Sequence, residues 1–216
     1  MYKAIFSKPE NYHGALVLLV GRWCKAEDLM AHYRSYSGLN ESLIVAIEPA
    51  VEWYHAPVSP DDQSEALDGM EISVPRLDSF LRNIEYGFKV PRMQTALAGF
   101  SAGAVMAIQV AANSHDEFAG VVSHAGAILS PENLAISKNA TPYLLIHSKN
   151  DDCFEWNERY LPMKIALQEK GYFVKTEEKE DGSHAICRDD IVLAATFLSD
   201  NLGYPPGWTP KVQNME

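Results

Sequence analysis

Ser101 stands in Gly99-Phe100-Ser101-Ala102-Gly103, a G-x-S-x-G pentapeptide. A serine so placed can attack a carbonyl carbon when a neighbouring base takes its proton. The pattern is short enough to arise by chance, so its surroundings carry the argument. The run MQTALAG over 93–99 precedes it and reads as a strand, and the small-residue run over 102–112 follows as a helix. A strand-to-helix turn holds such a serine strained, with Oγ projecting off the end of a sheet. Glycines two residues to either side remove Cβ atoms that would crowd the turn. The Ala102 N–H, at the helix start, would point where an oxyanion forms. The other reading of Ser101 is an ordinary helix N-cap, and the pentapeptide alone leaves both open.

A nucleophilic serine needs a base, and the base needs an orienting acid. On a strand-turn-helix elbow the chain order is serine, acid, histidine. Seven histidines are present: His13, His32, His55, His115, His124, His147 and His184. The apolar run YLLIH ends at His147, just before the acids Asp151 and Asp152, and beyond them only His184 remains. The order therefore leaves one candidate base, in the loop Gly182-Ser183-His184. Alone it would read as a surface-loop histidine. Two adjacent aspartates also suit a solvated turn.

These residues need a sheet edge to bring them together. Runs over 15–20 (ALVLLV) and 43–47 (LIVAI) are too short for buried helices and read as strands covered on both faces. Between them, 26–37 carries Leu29, Met30 and Tyr33 at helical spacing, with Asp28 in the first turn and Gly38 after the end. Residues 49–71 read as irregular, holding Pro49, Pro57, Pro60 and the acids Asp61, Asp62 and Glu65. Ser73-Val74-Pro75 then opens a helix to about Tyr86, with Leu77, Phe80, Leu81 and Ile84 on one face and Pro75 in its first turn. Strands follow over 120–124, 143–147 and 172–177, helices over 155–170 and 186–202, and an irregular tail over 203–216. Alternating strands and helices predict a three-layer α/β sandwich around a mostly parallel sheet. No linker divides the chain, so one domain over 1–216 is expected, its core about 13–202, with no large lid.

The composition narrows the partners. The chain has 216 residues, 47% hydrophobic and 22% charged, which is globular rather than disordered. Eighteen basic residues face 29 acidic ones, a net charge of −11, so phosphate backbones and anionic membranes are repelled. The odd set Cys24, Cys153 and Cys187 has no short paired spacing, which argues against disulfides or a four-cysteine zinc site. A reducing cytoplasm is the expected compartment. No apolar run approaches a membrane span and the first residues lack a long apolar region, so a soluble, unexported chain is expected. His147 and Asp151 are spaced i, i+4 across a strand-to-loop turn without an evident third ligand, so no metal is expected. Nor does a G-x-G-x-x-G dinucleotide pattern follow the first strand. Cys24 and Cys153 flank the site loops and are expected to be buried and inert. Glu177, Glu178, Glu180 and Asp181 read as a solvated strand end.

Taken together these segments resemble the α/β-hydrolases of the phospholipase/carboxylesterase type, which include the acyl-protein thioesterases. GFSAGA resembles the GFSxG turn of that family. LLIHSKNDDCF resembles its H-G-x-x-D-x-x-V segment, with Ser148 in place of the glycine, and GSHAI its histidine loop. LLVGRWCKAEDL resembles LLHGRGxxAEDL, and Trp53-Tyr54 a W-Y pair of the same region. The resemblance spans about 13–202. It implies Ser101 as nucleophile, His184 as base and Asp151, four residues past His147, as acid. It also implies the backbone N–H groups of Arg22 and Ala102 as oxyanion donors, and Trp23, Trp53 and Tyr54 as substrate-binding residues, with no cofactor. Three departures fall at the oxyanion loop and elbow: Val20 for a histidine, Trp23 for a glycine, and Ala102 for the glutamine usual in the thioesterase branch. Trp23 either narrows the acyl pocket or packs on the surface. The resemblance implies a serine hydrolase of small-molecule esters or thioesters. No apolar lid segment is visible and Trp23 is bulky, so short or medium acyl chains are expected; the charge and hydropathy lead to no nucleic-acid or integral-membrane partner, and monomer and homodimer both stay open. The alternative is a ligand-binding protein that has kept the scaffold and lost turnover.

Overall fold

Among the described residues seven strands form one sheet in the order β1-β3-β2-β4-β5-β6-β7. The computed structural model describes residues 2–36, 39, 41–54 and 63–202. The strands are β1 (Tyr2–Ser7), β2 (Gly14–Leu19), β3 (Ser42–Pro49), β4 (Thr95–Phe100), β5 (Gly120–His124), β6 (Pro142–Ser148) and β7 (Phe173–Lys179). Among the described residues only β1 runs antiparallel, against β3, and every other pairing is parallel. The helices are α1 (Ala26–Arg34), α2 (Ser64–Phe88), α3 (Ala102–Asn113), α4 (Leu161–Glu169) and α5 (Arg188–Asn201).

All six positions of β2 are buried, because helices cover both faces of the sheet. Alternate residues of the strand enter different cores. Ala15, Val17 and Leu19 join Leu77 of α2, Met106 of α3 and Met163 of α4. Leu16 and Leu18 join Leu29 of α1 and Leu198 of α5. Each such buried leucine contributes about 1.5–3 kcal/mol through removal from water. The result is the expected three-layer sandwich, with the parallel strands delivering their C-terminal ends to one edge.

The structure departs from expectation at several places. β1 is a strand that the sequence pattern did not announce. Its alternation is weak, with Lys3 and Phe6 exposed between half-buried neighbours. Helix α2 begins at Ser64, so the last part of the stretch expected to be irregular is helical and Pro75 lies in the helix interior. Ala66 and Met70 extend upstream the buried face formed by Leu77, Leu81 and Ile84, and that packing outweighs the donor lost at proline. The helix after β6 starts as a single π turn, Trp156–Tyr160, before becoming α4. Glu178 is half-buried rather than solvated: it accepts from the Tyr160 hydroxyl at 2.8 Å and pairs with Lys164. Gly38, Pro57, Pro60, Asp61, Asp62 and the tail 203–216 lie outside the described residues. Among the described residues no helix is long and apolar enough to cross a membrane.

Candidate active site

The elbow forms where α3 comes very close to β4 and β2. A Cβ on Gly103 would lie 2.1 Å from the Leu19 carbonyl oxygen, and one on Gly99 2.4 Å from the Gly103 carbonyl carbon. Only glycine allows α3 to leave the sheet at this angle. Ser101, between them, has φ 53° and ψ −121°, a strained conformation for a residue with a side chain. Its N–H donates to the His124 carbonyl at 3.0 Å, and its carbonyl accepts from Ala104 and Val105 at 2.9 and 3.1 Å. Its side chain makes no capping hydrogen bond, so the strained turn is not explained by an N-cap. Ala102 opens α3, where backbone N–H groups have no acceptor within the helix.

The loop after β2 crosses the elbow. A Cβ on Gly21 would stand 3.2 Å from the Ser101 Cβ, so glycine again permits the approach. Arg22 follows, its guanidinium over the Trp23 ring at 5.7 Å and 3.6 Å from the Glu52 carboxylate. Trp23 is 90% exposed, at φ 61°. It lines a cleft shared by Gly21, Arg22, Glu48, Glu52 and Ala102 and a second one shared by Phe100, His184 and Ile186. Trp53 and Tyr54 are almost wholly buried and form the floor of the first cleft rather than its rim. The Trp53 indole N–H donates to the Val20 carbonyl at 2.7 Å, so this ring holds the start of the loop.

After β6 the chain turns through Ser148, whose Oγ accepts from the Asn150 N–H at 3.2 Å. This serine also meets the His184 loop: a Cβ on Gly182, at φ 132°, would lie 3.1 Å from its Oγ. Asp151 is 4% exposed. Its Oδ1 accepts from the N–H groups of Cys153 and Phe154 at 2.9 and 2.7 Å. His184 Nδ1 lies 2.8 Å from Oδ2 and 3.0 Å from Oδ1. Burial pushes the carboxyl upward, but the His184 bond and the two N–H groups outweigh it and hold Asp151 below its usual pKa. An ionised carboxylate accepts, so His184 carries a proton on Nδ1 and turns Nε2 away from Asp151. The imidazole packs between the rings of Phe100, 5.1 Å away, and Phe154, 5.8 Å away and edge-on. Asp152 is exposed, 3.8 Å from the Cys153 thiol.

The structure thus joins His184 to Asp151 directly, and the His184 ring packs on Phe100, the residue before Ser101. The Ser101 hydroxyl has no hydrogen bond to His184 among the described residues. In unliganded sites that bond is often long. Asp151, Cys153 and His184 place three possible metal-ligating atoms within 4.8 Å of one another, Cys153 being a third ligand type the sequence reading did not supply. The Asp151–His184 contact has the length of a direct hydrogen bond, 2.8 Å from Nδ1 to Oδ2. Cys24 is half-buried, and burial pushes its thiol up, away from the thiolate. Cys153 and Cys187 are exposed, contrary to the expectation of buried thiols at Cys153. Sequence reasoning weighed His147 as a metal ligand and as the mark from which Asp151 is counted, and missed its place behind Asp151.

The parallel sheet with one antiparallel edge strand and a serine elbow at its centre is the α/β-hydrolase fold. The sequence model of the family described as phospholipase/carboxylesterase matches residues 42–202, and the chain belongs to that family of hydrolases. A search of curated proteins finds no match. Among solved structures, esterase PE8 superposes with a TM-score of 0.83 at 24% identity, over 93% of this chain and 99% of that one. The Bacillus cereus carboxylesterase gives 0.80 at 17%, over 93% and 95%. Zea mays acyl-protein thioesterase 2 gives 0.73 at 19%, over 93% and 99%. At these identities the likeness is one of fold.

Proposed function

We propose that the protein is a serine hydrolase that cleaves carboxylic esters or thioesters through Ser101, His184 and Asp151. The observation that carries this reading is the buried Asp151 carboxylate bonded to His184 Nδ1, with His184 packed on Phe100 and the next residue, Ser101, held at positive φ. Ser101 Oγ attacks the carbonyl carbon as His184 Nε2 takes its proton. Asp151 fixes the tautomer and stabilises the imidazolium. The oxyanion is held by the N–H groups of Ala102 and Arg22. His184 then protonates the departing alcohol or thiol, leaving an acyl-serine. Water enters, gives a proton to His184 and attacks the acyl carbon, and the proton returns to Ser101 as the acid leaves.

Ester and thioester substrates are supported by the family and by the similar structures, an esterase, a carboxylesterase and a thioesterase. Short or medium acyl chains fit best, because Trp23 stands at the mouth of both clefts. The acidic surface favours a small-molecule substrate over nucleic acid, and one domain in the cytoplasm accommodates the whole reading. A panel of p-nitrophenyl esters of graded chain length, run beside an acyl-CoA, tests it. The expected result is turnover greatest at the short end of the series. No hydrolysis of any member, or faster hydrolysis of the longest chain than of the shortest, contradicts it.

A further inference from the structure

His147 lies on β6, four residues before Asp151, and is 1% exposed. Its Nε2 is 2.8 Å from the Phe154 carbonyl oxygen. A carbonyl can only accept, so Nε2 carries the proton and donates. The same nitrogen stands 3.8 Å from Asp151 Oδ2. Nδ1 is buried and has no hydrogen-bond partner among the described residues. Burial holds the imidazole below its usual pKa, and the bond to Phe154 offsets this only in part. The ring is therefore a neutral donor in one tautomer. It is stacked on Tyr160 at 4.5 Å and 20°. Tyr160 is itself tied by its hydroxyl to Glu178 and flanked by Trp156 at 4.5 Å.

Phe154 is the residue so fastened, and it bears on both neighbours. Its N–H donates to Asp151 Oδ1 at 2.7 Å, and its ring meets His184 edge-on. A free 151–154 turn would let the carboxylate rotate away from His184 Nδ1.

We propose that His147 is a positioning residue for the Asp151–His184 pair: its Nε2–H, donated to the Phe154 carbonyl, holds the turn that presents Asp151 to His184. The inference rests on the hydrolase reading above. His147 acts through Asp151, so it governs the rate of the chemical step and not the binding of substrate.

The test uses the full chain and p-nitrophenyl acetate. H147F keeps a flat ring against Tyr160 but donates nothing. H147N is too short to reach Phe154. H147Q keeps an N–H near the position of Nε2. H147F and H147N are expected to lose roughly 10–100-fold in kcat, the usual scale for groups that orient catalytic residues from behind. KM should stay within about threefold. The low-field proton resonance of the His184 Nδ1–H to Asp151 bond should vanish in both. H147Q should regain about tenfold of the lost rate and recover the resonance. Wild-type rate and resonance in H147F, equal loss in H147Q and H147F, or a rise in KM alone would each overturn the proposal. If H147F does not fold, H147N and H147Q decide it. D151N and S101A are run alongside. If they are inactive while H147N and H147F are unimpaired, the positioning role fails alone; if they are active, the hydrolase reading fails and the proposal with it.

Discussion

Asp151 and Asp152 are adjacent, yet the structure gives them different surroundings, and replacing each by asparagine separates them. In Asp151→Asn the amide oxygen can still accept from Cys153 and Phe154, at the positions now 2.9 and 2.7 Å from Oδ1. The turn therefore survives. The amide nitrogen then takes the place of Oδ2, which is 2.8 Å from His184 Nδ1. Two donors cannot share that contact, so His184 gives up the Nδ1 proton and carries it on Nε2, where the lone pair was needed. Loss of the correct tautomer in a serine triad costs on the order of 10⁴ in kcat. That corresponds to about 5 kcal/mol of transition-state stabilisation. Asp152 is exposed, with its carboxylate near only the Cys153 thiol, so Asp152→Asn should change kcat by about threefold at most. Both variants are measured on p-nitrophenyl acetate, with thermal melts to confirm folding. A crippled Asp152→Asn beside a normal Asp151→Asn would refute the assignment. Loss below about tenfold in both would place the acid elsewhere.

Trp53→Phe removes the indole donor to the buried Val20 carbonyl while keeping an aromatic ring. A buried acceptor left without its donor costs about 1–3 kcal/mol, so the melting temperature should fall by several degrees and kcat should fall as the Gly21–Arg22 loop drifts; an unchanged melt and rate would contradict this. Gly103→Ala places a methyl 2.1 Å from the Leu19 carbonyl oxygen, and urea unfolding should show about 3 kcal/mol of lost stability. A fully stable variant would show that α3 can move off the sheet. His124 is buried against the Tyr33 hydroxyl at 2.7 Å, and burial pushes its pKa down to about 4, against about 6.5 in the unfolded chain. Its contribution is complete above about pH 6.5 and is lost as pH falls toward about 4, because the unfolded state binds a proton that the native state refuses. Between about pH 7 and about pH 4.5 the wild type should lose about 2 kcal/mol more stability than His124→Gln, and parallel losses in urea melts would refute it.

The parts of this molecule legible in the sequence are those set by local pattern. The runs ALVLLV and LIVAI are uninterrupted because both faces of the sheet are covered, and the Gly99 and Gly103 spacing is forced by the approach of α3 to β2. The order of Ser101, Asp151 and His184 follows from topology. What escaped was decided by tertiary packing. The depth at which Trp53 and Tyr54 line the first cleft is a property of the fold, since burial depends on what packs over them. The first three turns of α2 were hidden by Pro75, because the Ala66 and Met70 positions gain their meaning from the core they enter. His147 carried a visible i, i+4 spacing to Asp151, yet its partner is the Phe154 carbonyl, and no side-chain pattern records a backbone acceptor.

The central claim is that Ser101 is the nucleophile, and the most direct measurement is covalent capture. A fluorophosphonate probe reacts with an activated serine hydroxyl and is retained as an ester. After incubation with the wild-type protein, peptide mass spectrometry is expected to find one phosphonylated residue, Ser101, with loss of ester hydrolysis in proportion to labelling. Ser101→Ala should take up no probe and lose on the order of 10⁶ in kcat while melting like the wild type. Labelling at a different serine, or hydrolysis by Ser101→Ala within about tenfold of the wild-type rate, would contradict the account.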